Sequence, residues 1–449
     1  MKLTKKILAL VLSLLFVVSA LAGCGGSGEG GGEGGTLDGY NYTGTNELTG
    51  TFELQINIAG YGSRHWEKII ADFEAANPNL DVIAYMDANT NKKMQPRWQK
   101  NNPPDFVEAV GSNLPMTTYI ESGLMYDLTE FYNTASVYGS DTLIKDIVKP
   151  DYVRTAKDGN KYLLSLILGS YGMWYDEAWA TELGVTLPTN FDELYQLGLD
   201  LKAKNIPLFI YGGQSPMYLM HTLMFPAISV YGQDMLDRIL SGSDLEAYKS
   251  AELKDCFTRL KKLIDAGFFH NASVGLSAFD AQSQWLNHKA FFIPNGLWLE
   301  NEMEGKIPEA FKMRYAVPAL NKADEQQVIC TSASQFGVAA NAKNKAAALD
   351  FIRFIYKTEN LKTVVEETKS PVAVDVDLGE VKMTDASIHV QGILGDTKYK
   401  NTNVELKWGT IDAVVCDTIN MLVKGDLDVD GAINKLVEAV EKKIRDDAM

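Results

Sequence analysis

The chain has 449 residues, is 46% hydrophobic and carries a formal net charge of −16 at neutral pH. No basic cluster follows the first few residues, which argues against nucleic-acid binding and against direct adhesion to anionic lipid. A chain of this length exceeds what a single hydrophobic core holds, so two lobes are expected.

The N-terminus predicts export and attachment to a membrane through a lipid. A short lysine-containing start precedes an apolar run over residues 7–20, which is typical of a signal peptide and too short for a comfortable membrane span. Leu-Ala-Gly-Cys follows at 21–24, and small residues before a cysteine are typical of a bacterial lipoprotein. We therefore expect a signal peptide over 1–23 and a lipid on the thiol of Cys24, on the outer face of the cell membrane of a Gram-positive-type bacterium.

A glycine-rich stretch follows this cysteine. Residues 25–36 read GGSGEGGGEGGT, a composition that cannot bury apolar surface and behaves as a flexible coil. The Gly-Lys-Ser/Thr of a phosphate-binding loop does not follow it. The segment 24–49 is therefore predicted to be a tether between the lipid and the folded part.

The remaining cysteines and histidines offer little chemistry. Cys256, Cys330 and Cys416 are odd in number, so at least one should be a free thiol, and a bridge between two of them stays open. Small buried side chains are the simpler interpretation. The sequence has neither a CxxC nor an HExxH motif, so we expect no catalytic metal and no cofactor.

Apolar spacing predicts how the folded part begins. Residues 51–59 alternate as a strand, and Trp66, Ile69, Ile70 and Phe73 then fall on one face of a helix with Ser63 as its N-cap. Residues 79–86 form the next strand, so the fold opens as a parallel α/β unit. Further strands are expected at 104–110, 207–213, 290–294, 314–320 and 335–340, and residues 168–184 lead from a strand into a helix. Further helices are expected at 191–205, 256–267, 345–360, 411–425 and 432–445.

Five strings in a fixed order carry a family resemblance. They are IIADFEAANP (69–78), PPDFVEAVG (103–111) with ESGLMYDLT (121–129), LGSYGMWYDEAWATELGV (168–185) with LPTNFDEL (187–194), KAFFIPNGLWLENEM (289–303) and KWGTIDAVVCDTINMLVKGDL (407–427). Together they resemble the family 1 extracellular solute-binding proteins, the maltose- and oligosaccharide-type receptors of ABC importers. FIPNGLWLENEM further resembles the branch that binds N-acetylglucosamine or diacetylchitobiose.

The resemblance implies a fold and a role. The fold would be α/β and two-lobed, of the type II periplasmic-binding-protein class, with a hinge and a ligand cleft between discontinuous lobes. The first lobe would take 50–167 and 317–362, and the second 168–316 and 363–449. The protein would be a monomer without enzymatic activity that binds a mono- or oligosaccharide and delivers it to ABC permease subunits.

Sugars stack their C–H faces on aromatic rings and pair their hydroxyls with planar polar groups. Ligands in open α/β sheets bind beyond the carboxyl ends of the strands, so aromatics and amides at strand ends are candidates. The resemblance implies that Trp298 stacks on a sugar ring. Alternation places Tyr171 and Met173 on one side of their strand and Trp174 on the other, without telling which side faces the cleft. The remaining candidates are Tyr61, Arg64, Trp66, Glu108, Ser112, Ser170, Asn295, Gln335 and Trp408.

Three alternatives stay open at this point. A glycosidase needs two carboxylates across the scissile bond, and Glu300 with Glu302 are the nearest pair to Trp298, although at i, i+2 they point to different helix faces. A receptor for polyamines or peptides would use carboxylates that converge around aromatics. Residues 426–438 nearly match a calcium-binding loop, but position 437, where the bidentate Glu is needed, is Val437.

Overall fold

A computed structural model describes residues 37–111, 113–153, 155–404 and 411–447. The predictions for the signal peptide, Cys24 and the start of the tether lie outside these residues. Within the described residues, no helix combines the length and the apolar character that a membrane span requires.

Eight strands form one mixed sheet within the described part of the chain. They are β1 (Gly50–Ile56), β2 (Leu80–Met86), β3 (Phe106–Glu108), β4 (Leu164–Asp176), β5 (Ile293–Gly296), β6 (Met313–Ala316), β7 (Val328–Val338) and β8 (Lys400–Asn403). The order along the sheet is β2-β1-β3-β7-β4-β5, with β6 paired to β4 and β8 paired to β7. β1 runs parallel to β2 and β3, as the strand–helix–strand pattern predicts.

Helices cover the sheet. Those of the first half are α1 (Arg64–Ala76), α2 (Thr90–Gln99), α3 (Met116–Glu121), α4 (Thr129–Thr134), α5 (Ile144–Ile147), α6 (Glu177–Leu183), α7 (Phe191–Ala203), α8 (Met217–Leu219) and α9 (Phe225–Ser229). Those of the second half are α10 (Gln233–Leu240), α11 (Leu245–Tyr248), α12 (Ala251–Asp265), α13 (Ala278–Leu286), α14 (Leu299–Glu302), α15 (Lys345–Ile355), α16 (Thr358–Thr368), α17 (Asp385–Leu394), α18 (Asp412–Lys424) and α19 (Val429–Asp447). A π-helical turn, Met220–Met224, joins α8 to α9, and short 3₁₀ turns lie at Pro150–Tyr152 and Ser273–Gly275.

β4 links separate hydrophobic cores. All 13 of its residues are buried, which suits a strand covered on both faces. Leu164, Leu166 and Ile167 at its start pack into a first core with β1, β3, α1 and α15. Met173 packs into a second core with α7, α12 and α18, and Trp174 packs into a smaller third core. A single strand therefore crosses from the first core to the other two.

Two predicted elements differ from the structure. Residues 345–360 form two helices, because Lys357 is extended and the side-chain amide of Asn360 donates to the carbonyl of Phe354 (2.7 Å), which ends α15. Residues 207–213 form no continuous strand. Phe209 alone bridges to Phe269 and Phe292, and the chain then turns away. At Gly213 a Cβ would lie 2.2 Å from the carbonyl oxygen of Val274, so only glycine fits this close backbone approach.

Two of the cysteines are small buried side chains, and acids of the 426–438 segment contact other groups of the protein. Cys256 and Cys330 are free and buried thiols. Asp430 pairs with Lys254 at 2.6 Å, and Asp428 accepts from the backbone of Gly431 at the start of α19. Across the described residues, no group of three or more His, Cys, Asp or Glu side chains is gathered as a metal ion would require.

A buried ion pair fastens the segment before β1 to α15. Arg353 and Asp350 are both fully buried and lie 2.8 Å apart. Arg353 also donates to the backbone carbonyls of Gly44 (2.8 Å) and Ser136 (2.7 Å), and Tyr40 donates to Asp350 (2.7 Å). The guanidinium thus joins the incoming chain to the first core.

Arg353→Met should lower the free energy of unfolding by about 3–5 kcal/mol, because it leaves the buried carboxylate of Asp350 without its cation. Lys68→Met is the control, since Lys68 pairs with Asp72 on the exposed face of α1 and should cost under about 0.5 kcal/mol. Urea denaturation measures both, and equal losses would contradict the role given to Arg353.

Candidate functional site

Trp298 lies at the centre of an aromatic cluster where the loops after β1 and β5 meet the middle of β4. Tyr61 follows β1, Tyr171 lies in β4, and Trp298 follows β5, whose Gly296 pairs with Tyr171. The ring centroids of Tyr61 and Tyr171 lie 5.8 and 5.1 Å from that of Trp298, and both rings stand nearly perpendicular to it. The indole N–H of Trp298 donates to the hydroxyl of Tyr218 (3.3 Å). These four residues are called the aromatic cluster below.

Two glycines allow the indole to lie against the backbone. At Gly296 a Cβ would lie 2.4 Å from the Trp298 ring, which no real Cβ tolerates. Gly60 has a φ of +79°, and a Cβ there would lie 3.3 Å from Trp298. The loop after β1 and the loop after β5 therefore approach each other closely enough for Tyr61 to reach the indole.

His221 backs the cluster from the π-helical turn. Its ring stacks on Tyr171 with centroids 4.3 Å apart. Burial lowers the pKa of His221 to about 3, so the imidazole is neutral at physiological pH. It contributes a flat, uncharged support for the phenol ring.

Two carboxylates flank the aromatic cluster. Glu302 is half-buried at the end of α14 and accepts a hydrogen bond from the side-chain amide of Gln282 (2.6 Å). Glu108, at the end of β3, accepts from the backbone N–H of Asn57 (2.9 Å). Burial raises the pKa of Glu302 and raises that of Glu108 to about 8. Burial also raises the pKa of Tyr61, and the charges of both carboxylates add to that rise, which places both of them near its phenol.

Further contacts join the loops around the site, and their residues, called the rim below, are Gly60, Arg64, Asn301, Glu304 and Glu367. The side-chain amide of Asn301 donates to the carbonyl of Gly60 (3.1 Å). Arg64 forms ion pairs with Glu304 and Glu367, both at 2.7 Å. Half of the Arg64 side chain remains exposed, so each pair is weak on its own.

A buried polar chain lies beneath the strand ends of β1 and β3. The indole N–H of Trp98 donates to Gln55, whose amide donates to Asn91, whose amide in turn donates to the carbonyl of Val110 (2.8–2.9 Å). Because buried amides lose free energy when unpaired, this chain fixes the backbone that presents Asn57 and Glu108.

The structure brings some predicted site residues together and places others elsewhere. Tyr171, Tyr61, Trp298 and Glu108 converge, which shows that the Tyr171 side of β4 faces the cluster. Trp66 and Trp174 are each 1% exposed and pack in the first and third cores. Their roles in ligand binding stay predictions, although their packing is that of core residues.

Other predicted residues are engaged in protein contacts. Ser170 is fully buried and lies 2.9 Å from both the hydroxyl of Tyr315 and the carbonyl of Cys330. The side chain of Asn295 accepts from the N–H of Gly296 (2.7 Å), and the carbonyl of Gln335 accepts from Ala109 (2.7 Å). Ser112 and Trp408 lie outside the described residues.

Sequence reasoning missed Tyr218, His221, Gln282 and Asn301 as neighbours of Trp298. Tyr218 and His221 fall in a stretch that passes from α8 through a π-helical turn, so its apolar spacing fits neither a helix nor a strand. The available signal was their position, since they follow the glycine pair at 212–213, where the predicted strand ends. Gln282 has no sequence signal, because it reaches the site from the middle of α13.

Comparison of the sequence with models of known protein families identifies one family. Residues 59–362 match the family described as bacterial extracellular solute-binding protein. The chain belongs to this family. The order of the five strings thus identified the family correctly.

Relatives and solved structures agree with this assignment. The chain is 23% identical to the diacetylchitobiose binding protein NgcE of Streptomyces coelicolor over 88% of this chain and 85% of that protein. It is 25% identical to the multiple sugar-binding protein of Streptococcus mutans over 69% of this chain and 71% of that protein. The structure of ligand-free RafE from Streptococcus pneumoniae aligns with a TM-score of 0.71 at 21% identity, covering 89% of this chain and 99% of the other. The predicted fold class, a two-lobed α/β solute-binding protein of type II, is confirmed.

The pKa of Glu108 predicts how stability depends on pH. A carboxyl whose pKa rises from its usual 4.5 to about 8 on folding holds its proton more tightly when folded, so stability falls as pH rises between these values. Glu108→Gln removes this dependence. As the pH is raised from 5 to 8, the free energy of unfolding of the variant should therefore increase by roughly 3–5 kcal/mol relative to that of the wild type. Urea denaturation at a series of pH values measures this difference.

Glu67→Gln, at an exposed residue of the same side-chain type on α1, is the control and should keep the wild-type pH profile. If the profiles of Glu108→Gln and wild type run parallel over this range, then Glu108 does not bind the extra proton.

Proposed function

We propose that the protein binds a carbohydrate at the aromatic cluster and delivers it to the permease of an ABC importer. The observation that supports this most is the position of Trp298, half-buried among three tyrosines, of which Tyr61 lies near the carboxylates Glu302 and Glu108. Rings supply faces for the C–H surfaces of a sugar, and carboxylates accept from its hydroxyls. The names of the two relatives, which refer to diacetylchitobiose and to multiple sugars, agree with this ligand class.

In this proposal the protein transports and performs no chemistry. A glycosidase would need two carboxylates aimed at one bond, yet Glu300 accepts from Thr384 (2.8 Å) while Glu302 accepts from Gln282. The two acids adjacent to Trp298 thus engage different neighbours. We infer binding without turnover, and incubation with labelled oligosaccharides should leave them intact.

The proposal assigns the lobes as 50–167 with 317–362 and 168–316 with 363–449, with the cleft between them. The packing of Val372 in the first core and of Val328 and Cys330 in the second suggests that the chain near 328–330 and 363–374 crosses between lobes. Ligand would bridge the loops after β1 and β5 and favour the conformation in which they are in contact.

A lipid on Cys24 completes the proposal. The predicted tether of residues 24–49, whose later part is fastened to α15 through Arg353, would hold a monomeric receptor on the outer face of the membrane and raise its effective concentration at the permease. Replacing Cys24 by serine should release the protein into the medium, and metabolic labelling with a palmitate analogue should mark the wild type alone.

Trp298→Ala should weaken carbohydrate binding by about 1–3 kcal/mol, by analogy with other aromatic stacking platforms. Intrinsic fluorescence or calorimetry across a panel of mono- and oligosaccharides measures this. Trp179→Ala is the matched control, because Trp179 is also half-buried but stacks on His288, outside the aromatic cluster. Equal binding by Trp298→Ala and wild type would refute the site, and absence of binding to every sugar would refute the function.

Arg64→Ala should raise the ratio of open to closed molecules in the ligand-free protein by up to about five-fold, because it removes the ion pairs with Glu304 and Glu367. Small-angle scattering would report a larger radius of gyration. Lys68→Ala, on the same helix and paired only with Asp72 in the described structure, should leave the radius unchanged. An unchanged radius in both variants would show that the rim contacts do not set the open fraction.

A further inference from the structure

Glu302 is a carboxylate at the aromatic cluster without a cation. Among the described residues, its hydrogen bond comes from the amide of Gln282, and no lysine, arginine or histidine pairs with it. It lies close enough to Tyr61, Tyr171 and Tyr218 for its charge to raise the pKa of all three phenols. Buried carboxylates are normally paired, so an unpaired one at a ligand site indicates a missing partner.

The neighbouring acids of the same segment are satisfied by the protein. Glu304 lies 2.7 Å from Arg64 and 3.5 Å from Lys369. Glu300 accepts from Thr384 and feels the positive charge of Lys369. Arg64 and Lys369 therefore serve these two acids, and Glu302, the acid near the three phenols, is left without a cation among the described residues.

A second carboxylate faces the same ring. Glu108 is 3% exposed, accepts from the N–H of Asn57, and acts on the phenol of Tyr61 together with Glu302. Within the described residues it has no ion-pair partner. Because Glu108 holds a proton up to a pKa of about 8, the charge beside Tyr61 that a cation of the ligand would neutralise is that of Glu302.

Orphaned acceptors next to Glu302 point the same way. The amide oxygen of Gln282 is buried in a fully buried side chain and has no hydrogen-bond partner, and the same holds for the amide oxygen of Asn301 in a half-buried one. Buried acceptors without a donor are rare, and here both belong to residues at the cluster. The site therefore offers an excess of acceptors and requires a ligand rich in N–H or O–H donors.

We propose that the carbohydrate bound here carries a protonated amine, which lies against Glu302 and over the rings of the aromatic cluster. An ammonium group supplies three donors, neutralises a carboxylate and is attracted to the faces of Trp and Tyr rings. This inference rests on the proposed function and narrows its ligand class to amino sugars. Gln282 would act as a positioning residue that holds the carboxylate of Glu302.

Matched sugars test the amine directly. Glucose, glucosamine and N-acetylglucosamine differ at one position, as hydroxyl, ammonium and acetamido, and cellobiose, the disaccharide of glucosamine and diacetylchitobiose form the same series one unit longer. Calorimetry at mildly acidic pH, where the amine is protonated, should show that the ammonium member of a series binds at least about ten-fold tighter than both others. Its affinity should fall as salt is added, while that of the neutral members should not.

Glu302→Gln should remove this preference, with a loss of about ten-fold or more for the ammonium sugar and little change for its neutral counterparts. Glu300→Gln is the matched control, since it keeps an acceptor for Thr384 and should bind the ammonium sugar as the wild type does. Thermal unfolding of both variants checks that they fold, and Glu302→Asp provides a second variant that retains the charge and should keep the preference.

The outcomes separate this inference from the proposed function. The amine proposal is overturned if a neutral sugar of either series or of the wider panel binds as tightly as any ammonium sugar. It is also overturned if Glu302→Gln leaves the preference intact. In both cases the proposed carbohydrate receptor stands. If putrescine or spermidine binds and no carbohydrate does, both are overturned in favour of a polyamine receptor. If nothing in these sets binds, both are overturned as well.

Discussion

The rest of the structure depends on β4, a strand buried along its whole length. A buried strand must pair on both edges, since each unpaired backbone group would cost free energy without water to replace it. β4 pairs with β7 along one edge of its first half, where residues 371–373 bond the other edge, and with β5 and β6 through its second half. The switch of partners occurs at Ser170 and Tyr171. The point where the backbone changes neighbours is thus the point where the aromatic cluster forms.

This change of partners explains why the cluster residues come from distant parts of the chain. Pairing of Tyr171 with Gly296 fixes where β5 ends, and the chain then has only one residue before Trp298. On the other side, the parallel pairing of β1 with β3 brings Asn57 to Glu108 and directs the next loop towards the indole. Close approach of the two loops is possible because Gly60 and Gly296 carry no side chain. Sheet register and two small residues therefore set the geometry of the site.

The sequence predicts those elements whose structure depends on the local spacing of apolar residues, and it does not predict contacts made between distant parts of the chain. The period-two and helical patterns predicted β1, α1 and β2 correctly, because the apolar residues of each element follow the spacing of a strand or a helix. Trp298 and Tyr61 could be chosen as candidates because both lie within a few residues after a strand, and the structure brings their rings together. Trp66 and Trp174 were candidates on similar grounds, and their side chains pack in the first and third cores, a difference that tertiary packing makes and local spacing does not. Gln282 reaches the site through tertiary packing alone, and no local pattern marks it, whereas Tyr218 is marked only by its position after the glycine pair at 212–213.

The electrostatics of the site also follow from the packing. Ordinary folding selects against unpaired buried carboxylates, and the fully buried pair of Asp350 and Arg353 follows this rule. Glu108 and Glu302 depart from it at the same place, beside one phenol. Their raised pKa values mean that the folded state is less stable at neutral pH than it would be with amides there. Such a loss of folding stability is typical of sites where a bound group offsets it. A ligand that supplies the missing positive charge or hydrogen-bond donors would therefore gain binding free energy from these two carboxylates.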